Sequence, residues 1–328
     1  MQRFLTSLRS NLGPLLALLL VIAFFAAADR WQDHGGGFAT VRNAQNVMVQ
    51  TATVAVAALG MTLIITSGGI DLSAGTGMAL CSVVLAWFLQ DNYPPWLAVS
   101  LSVMVGCLIG LLNGLLITTL RVVPFIVTLG TMTIYLGLAK LIANNQTIRP
   151  EPNQVPEWTR QLLNPRSDSS WLLLPPGIWI LLALAILVIL MMRFTILGRH
   201  IMAIGGNESA ARECGIRVEA TRVLVYTIAG FTIGIAGLLH FARLSTANPA
   251  TGFGKELLMI AAVIIGGASL SGGRGSIVGT LMGALIMQVI ANGCNALRLK
   301  DPIQEIIIGT IIVTAVTVDR YRQRRLRR

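Results

Sequence analysis

Charge is scarce in this chain of 328 residues, of which 12% are Asp, Glu, Lys or Arg, about half the share of an ordinary soluble domain. Histidine occurs three times, at 34, 200 and 240, without an HExxH pair, and the four cysteines at 81, 107, 214 and 294 show no CxxC spacing. Neither a zinc site nor a disulfide framework is expected. Gly254-Lys255 is followed by Glu256 and not by Ser or Thr, so a Walker-type phosphate loop is missing and with it that route to ATP hydrolysis. A membrane-embedded enzyme would need a nucleophile with its base, or a metal cluster, and the apolar segments hold neither. The chain therefore reads as a non-enzyme without a bound metal or cofactor of its own. A net charge of +11 would suit nucleic acid, but the arginines flank apolar segments and form no soluble basic face, which is the pattern of positive-inside sorting. No nucleic-acid partner is expected.

Apolar residues, by contrast, make up 54% of the chain, and the mean hydropathy is +0.73. At roughly twenty apolar residues per crossing, this predicts a single-domain (1–328), all-α, polytopic membrane protein of about ten transmembrane helices. Their expected positions are 12–28, two within 47–89, 96–120, 125–143, 177–192, 223–242, 257–270, 277–293 and 303–318. Arg3 and Arg9 ahead of the first run imitate a signal peptide, but so many segments follow that an uncleaved first helix is expected. Most lysines and arginines then fall on inner segments, and the six arginines in the basic tail 319–328 hold the C-terminus in the cytoplasm, as Arg3 and Arg9 hold the N-terminus. Anionic membrane lipid would suit that tail. The proline-rich stretch 144–176, with Trp158 and Trp171 placed as interface aromatics, is expected as an ordered external loop.

Between two long apolar blocks lies 193–222, with five arginines (193, 199, 212, 217, 222) and three glutamates (208, 213, 219). Ile201, Ile204, Ala210, Ala211 and Ile216 give this passage apolar anchors, the composition of a helical loop pressed against another protein. Gly205-Gly206 followed by Asn207-Glu208 predicts a turn into a short helix. Asn207 is its N-cap, and the Glu208 carboxylate is favoured by the positive helix end.

A frame GGxxLSxG occurs twice, at Gly68-Gly69-Ile70-Asp71-Leu72-Ser73-Ala74-Gly75 and, 198 residues on, at Gly266-Gly267-Ala268-Ser269-Leu270-Ser271-Gly272-Gly273. Duplicated halves with interrupted helices in corresponding places are a common way to build a central pathway. Asp71, the one charge in 47–89, has two readings: as a cap of the next helix, a role Ser73 can share and Ser269 repeats, or as a pathway residue. Asn113 and Asn292 are pathway candidates too, unless each bonds a neighbouring helix. Gly106, Gly110 and Gly114 form one small-residue face, and Gly275, Gly279 and Gly283 another, for close helix packing within the chain or between subunits.

With GGIDLSAG at 68–75, LGRHIMAIGGNESAARECGI at 197–216 and IGGASLSGGRGSIVGTLMGALI at 265–286 in this order, the chain resembles the ribose-type permeases. These are the membrane subunits of bacterial ABC importers for monosaccharides and related small polyols. The resemblance covers 45–318 and implies a multi-pass protein of the inner membrane. Under it, Gly205, Gly206, Asn207, Glu208, Arg212 and Gly215 belong to a cytoplasmic coupling segment docking on a separate ABC ATPase subunit, which holds ATP and Mg. Gly68, Gly69, Asp71 and Ser73 lie near the pathway, a periplasmic sugar-binding protein delivers cargo, and a second permease copy or paralogue completes the channel. The alternative is an ion-coupled secondary transporter of a small polar solute. It would need ionisable groups in the membrane, and the spans offer only Asp71, Lys140, Glu256 and Glu305.

Overall fold

The computed structural model describes residues 2–31, 37–164 and 174–326, with 2–12, 301 and 318–326 described by backbone alone. Helices follow one another as α1 Gln2–Trp31, α2 Val41–Thr66, α3 Ala74–Gln90, α4 Pro95–Leu120, α5 Pro124–Ile142, α6 Glu157–Gln161 and α7 Pro176–Phe194. They continue as α8 Ile196–Gly206, α9 Glu208–Glu213, α10 Val218–Leu244, α11 Lys255–Ile265, α12 Ile277–Ala296 and α13 Asp301–Leu326. Among the described residues β pairing is limited to one bridge, between Ile148 and Ala247. Proline opens α4, α5 and α7, where its missing N–H would have had no helical partner and its fixed φ suits the first turn.

Seven of these helices are long and apolar enough to cross a membrane: Gly13–Trp31 of α1, then α2, α4, α5, α7, α10 and α12. The protein is thus polytopic and helical, but three expected crossings are not among these seven. Helix α3 has 17 residues and α11 has 11, and the apolar part of α13 is Pro302–Thr317. The segment expected over 257–270 stops at Ile265 because Gly267, at φ 91°, turns the chain. Its N–H returns to Ile264 O at 2.9 Å and the Ala268 N–H to Val263 O at 3.1 Å. A glycine in the left-handed region closing two such bonds is the common helix stop.

Helix α2 is the axis of the molecule. Beyond its first turns it is apolar around its circumference and rich in Ala, so a single buried face would not satisfy it. Every residue over 51–67 is buried, with α10 on one side, α11 and α12 on another, and α7 against a third. Helix α10 packs in turn on α3 and α4. Here the first glycine face acts inside the chain. A Cβ on Gly106 would lie 2.5 Å from Gly230 O, one on Gly114 2.8 Å from Val223 Cα, and one on Gly110 would run into Tyr226 O. The second face divides. Gly279 and Gly283 press on Gly266 and Ala262 of the α11 segment, whereas Gly275 lies before α12 begins and meets Thr62 and Thr66 of α2. It is not on the helix face expected for it, because Ser276 caps α12 by accepting from Gly279 N.

The described parts of the loop 144–176 are tied to the rest of the chain. Ile148 and Ala247 exchange backbone bonds of 2.9 and 3.0 Å, and Gly177 N donates to Leu162 O at 2.7 Å. Trp158 is exposed, and Trp171 lies outside the described residues. The turn expected outside around Pro249 is instead a short 3-10 helix, Pro249–Gly252, seated on the first turn of α3, where Gly252 and Gly75 touch backbone to backbone.

Gly110→Val should lower stability by about 1–3 kcal/mol, the usual range for overpacking, because the new side chain meets backbone. Gly130→Val, on α5 with nothing within 4 Å of its Cβ position, should change little. Thermal unfolding of the two variants in detergent checks the difference.

Candidate functional site

Helix α2 is stopped in the same manner as α11. Gly68 takes φ 85°, its N–H bonding Ile65 O at 3.0 Å, and Gly69 N bonds Ile64 O at 2.9 Å. The two stops are alike, but the left-handed glycine is the first of its pair at Gly68 and the second at Gly267, one place off the register of the repeated frame. After Gly68 the chain runs non-helically to α3, and several of its polar groups are held by protein. Ile70 O accepts from Thr128 Oγ1 at 3.2 Å and from Tyr226 OH at 3.4 Å. Asp71, 1% exposed, accepts through Oδ1 from Ser73 N at 2.8 Å and from Ser73 Oγ at 2.6 Å. Asn113 Nδ2 donates to Ser73 Oγ at 2.8 Å, and Tyr135 OH donates to Asn113 Oδ1 at 3.1 Å. One polar chain, Asp71–Ser73–Asn113–Tyr135, thereby ties the interrupted segment to α4 and α5.

This corrects the capping expectation. The N-cap position of α3 is Ser73, at φ −83° and ψ −7°, without a side-chain cap bond. Its hydroxyl is occupied by Asp71 and Asn113. Asp71 lies two residues earlier and braces the turn ahead of the helix, as Asp side chains do when they bond the backbone two residues on. In the second segment Ser269 plays the matching part, its Oγ accepting from Ser271 N at 3.3 Å.

The pathway candidates do not all come together. Gly69 joins the cluster, since a Cβ there would lie 2.7 Å from Tyr226 OH. Asn292 belongs elsewhere: it exchanges amide bonds of 2.8 and 3.0 Å with Asn43 at the start of α2, about 35 Å along that helix from Thr66 at 1.5 Å per residue.

The charged passage folds as expected. Thr195 caps α8, and Asn207 caps α9 by accepting from Ala210 N at 3.1 Å. Ile204, Ala211 and Val218 are buried together, with Ile216 against them, while 206–210 are exposed. Glu208 pairs with Arg222 at 2.8 Å and Arg212 at 3.3 Å, and Arg212 reaches Glu219 at 2.5 Å. The Arg222 guanidinium, with Arg212 beside it, holds the Glu208 carboxyl below the ordinary carboxylate range. Its contribution is thus fully present above the ordinary value of 4.5 and is lost only as pH falls through the lowered one. A cavity of about 500 Å3 lies between this network and the C-terminal end of α4, lined by Arg121, Glu208, Arg212, Glu219 and Arg222, with Gly68 on its wall. Tyr226, Glu219 and Arg222 were not singled out by the sequence. The signal for Tyr226 was a hydroxyl in an apolar run, and for the other two their place within a turn or so of the short helix.

Interrupted helices closed by internal hydrogen bonds, set beside an exposed, charge-paired helix between two long apolar helices, define a multi-pass membrane protein. A family model described as "Branched-chain amino acid transport system / permease component" matches residues 43–316, and the chain belongs to that family. It is similar to the ribose import permease protein RbsC of Escherichia coli (strain K12), with 36% identity over 309 residues, 94% of this chain and 93% of that one. It is similar also to RbsC of Bacillus subtilis (strain 168), at 38% over 94% of this chain and 92% of that one. The fructose import permease protein FrcC of Rhizobium meliloti matches at 32% over 98% of this chain and 88% of that one. No solved structure matches. The chain is the permease component of an ABC importer and a multi-pass protein of the inner membrane.

Asp71→Asn should keep the turn, because an amide oxygen still accepts from Ser73 N and Oγ. Asp71→Ala leaves both donors buried and unpaired, a loss of about 1–3 kcal/mol. Membrane abundance and thermal unfolding should rank wild type and Asn together, above Ala, and the reverse order would exclude the bracing role.

Proposed function

We propose that this permease carries a monosaccharide or similar small polyol, with the interrupted segment at Gly68, Gly69, Asp71 and Ser73, and Asn113 beside it, bordering the route. The family description names branched-chain amino acids, but ribose and fructose are the cargoes named for the relatives. The cargoes printed for the relatives carry the sugar reading, while the buried Ser73, Asn113 and Tyr135 bond one another and hold the interrupted segment in shape.

Drive comes from a separate ABC ATPase, to which Gly205, Gly206, Asn207, Glu208, Arg212 and Gly215 present the coupling segment. The observation that carries this is the exposed, N-capped, charge-paired α9 between α7 and α10. ATP binding on the partner closes it, the coupling segment follows as a rigid unit, and the helices rock so that the route changes sides. A second permease, identical or paralogous, forms the other wall, and a periplasmic sugar-binding protein meets the loop 144–176. Ten crossings place both termini inside, with α3, α11 and α13 counted as crossings, the short α3 and α11 being followed or preceded by irregular backbone, which is tolerated at membrane depth where protein encloses it.

Glu208→Lys should lower ribose uptake about tenfold or more at equal membrane abundance, because a cation there faces Arg212 and Arg222 and disrupts the docking helix. Normal uptake would remove the coupling reading. For topology, Arg212→Cys in a chain lacking Cys81, Cys107, Cys214 and Cys294 should resist an impermeant thiol reagent in sealed cells and react in inverted vesicles. Labelling from outside would reverse the proposed orientation.

A further inference from the structure

Gly205 faces inward where the residues after it face out. An ideal Cβ there would collide with Thr66 O and Gly273 N. From the other side, a Cβ on Gly272 would lie 2.6 Å from Gly205 O and 2.8 Å from its Cα, and one on Gly68 would lie 3.8 Å from the same Cα. Gly206 has nothing within 4 Å of its Cβ position. At this spot Gly273 N donates to Thr66 O at 2.8 Å, so the end of α8 rests on a hydrogen bond that joins the two interrupted segments. The joint is continued along α2, where Thr62 and Thr280 share a hydroxyl bond of 2.8 Å and Gly275 fits against Thr66. Backbone packed on backbone has no rotamers with which to absorb a displacement.

We propose that Gly205 is the positioning residue through which a movement of the coupling segment reaches both interrupted segments at once, so that 66–73 and 266–276 shift as a pair. This rests on the coupling reading of 205–215 and adds to it a direction: Glu208 and its neighbours meet the ATPase, while Gly205 meets the pathway. The contact lies at the ends of α2 and α11, next to Gly68 on the cavity wall and three residues from the braced Asp71. A stroke delivered there acts on the two interrupted segments directly.

The test uses the complete transporter, permease with its ATPase and binding protein, in proteoliposomes supplied with ribose. Gly205→Ala should assemble and hydrolyse ATP within about twofold of wild type while sugar moved per ATP falls about tenfold or more. Gly137→Ala, which adds the same methyl to a helical glycine with open space around it, should leave both unchanged. Wild-type transport per ATP in Gly205→Ala overturns the proposal. Should Gly205→Ala fail to accumulate, hydrogen exchange on the wild-type complex with and without a non-hydrolysable ATP analogue decides. Exchange in 66–73 and 268–276 should then change together with that in 203–207. A change confined to 203–207 overturns the proposal and spares the coupling reading, whereas no change in 203–207 overturns both.

Discussion

Backbone hydrogen bonding where helices stop within the fold is the constraint on which this structure depends. A lone buried N–H or C=O costs several kcal/mol, and α2 and α11 are both buried to within a residue of their ends. Each end is closed by a left-handed glycine, and much of what the glycine leaves over is taken by nearby side chains and by the other interrupted segment. Ile70 O takes Thr128 and Tyr226, Ser73 takes Asp71 and Asn113, and Thr66 O takes Gly273. The polar side chains are few, and in this region they are spent on the irregular backbone.

That requirement explains the small residues as well. A carbonyl can be reached by a backbone N–H of another segment only if the two main chains approach closely, which glycine permits and any Cβ prevents at Gly205, Gly272 and Gly275. Elsewhere the glycine faces serve dispersion contacts between long helices, as between α4 and α10. The same residue type thus has two uses here, and only the contact partner, carbonyl or helix flank, tells them apart.

Much of this was legible in the sequence because the signals are local. Proline at helix starts, Gly-Gly at helix stops, Asn207 ahead of an acidic turn, and hydropathy runs all act through nearest neighbours, and the helices begin or end near where those signals place them. The end of α11 was less legible, since a hydropathy run counts apolar residues whether or not they are helical, and Ala268 and Leu270 extend the run after the helix has ended. Partnership was hidden further still. Asn113 and Asn292 look alike in composition, yet one closes the interrupted segment and the other pairs with Asn43 near the far end of α2, a difference made by tertiary packing alone. Asp71 reads in the sequence as a cap of α3 or a pathway residue, and its bracing of the turn ahead of the helix was not legible, because Ser73 at the cap position is bound by both Asp71 and Asn113.

The exposed helix α9 raises the question of how six residues can carry force. Surface ion pairs contribute at most about 1 kcal/mol each, so the Glu208, Arg212, Glu219 and Arg222 network does not by itself make the element rigid. Rigidity comes from beneath: Ile204, Ala211 and Val218 are buried as one small core, Asn207 caps the helix, and Gly205 sits without slack on Thr66 and Gly273. Charge then has a different task, holding the orientation of α9 against α10 and presenting a defined pattern to a partner. Stiffness set by burial and orientation set by charge can vary separately, which lets the outward face suit its partner while the inward contact stays backbone on backbone.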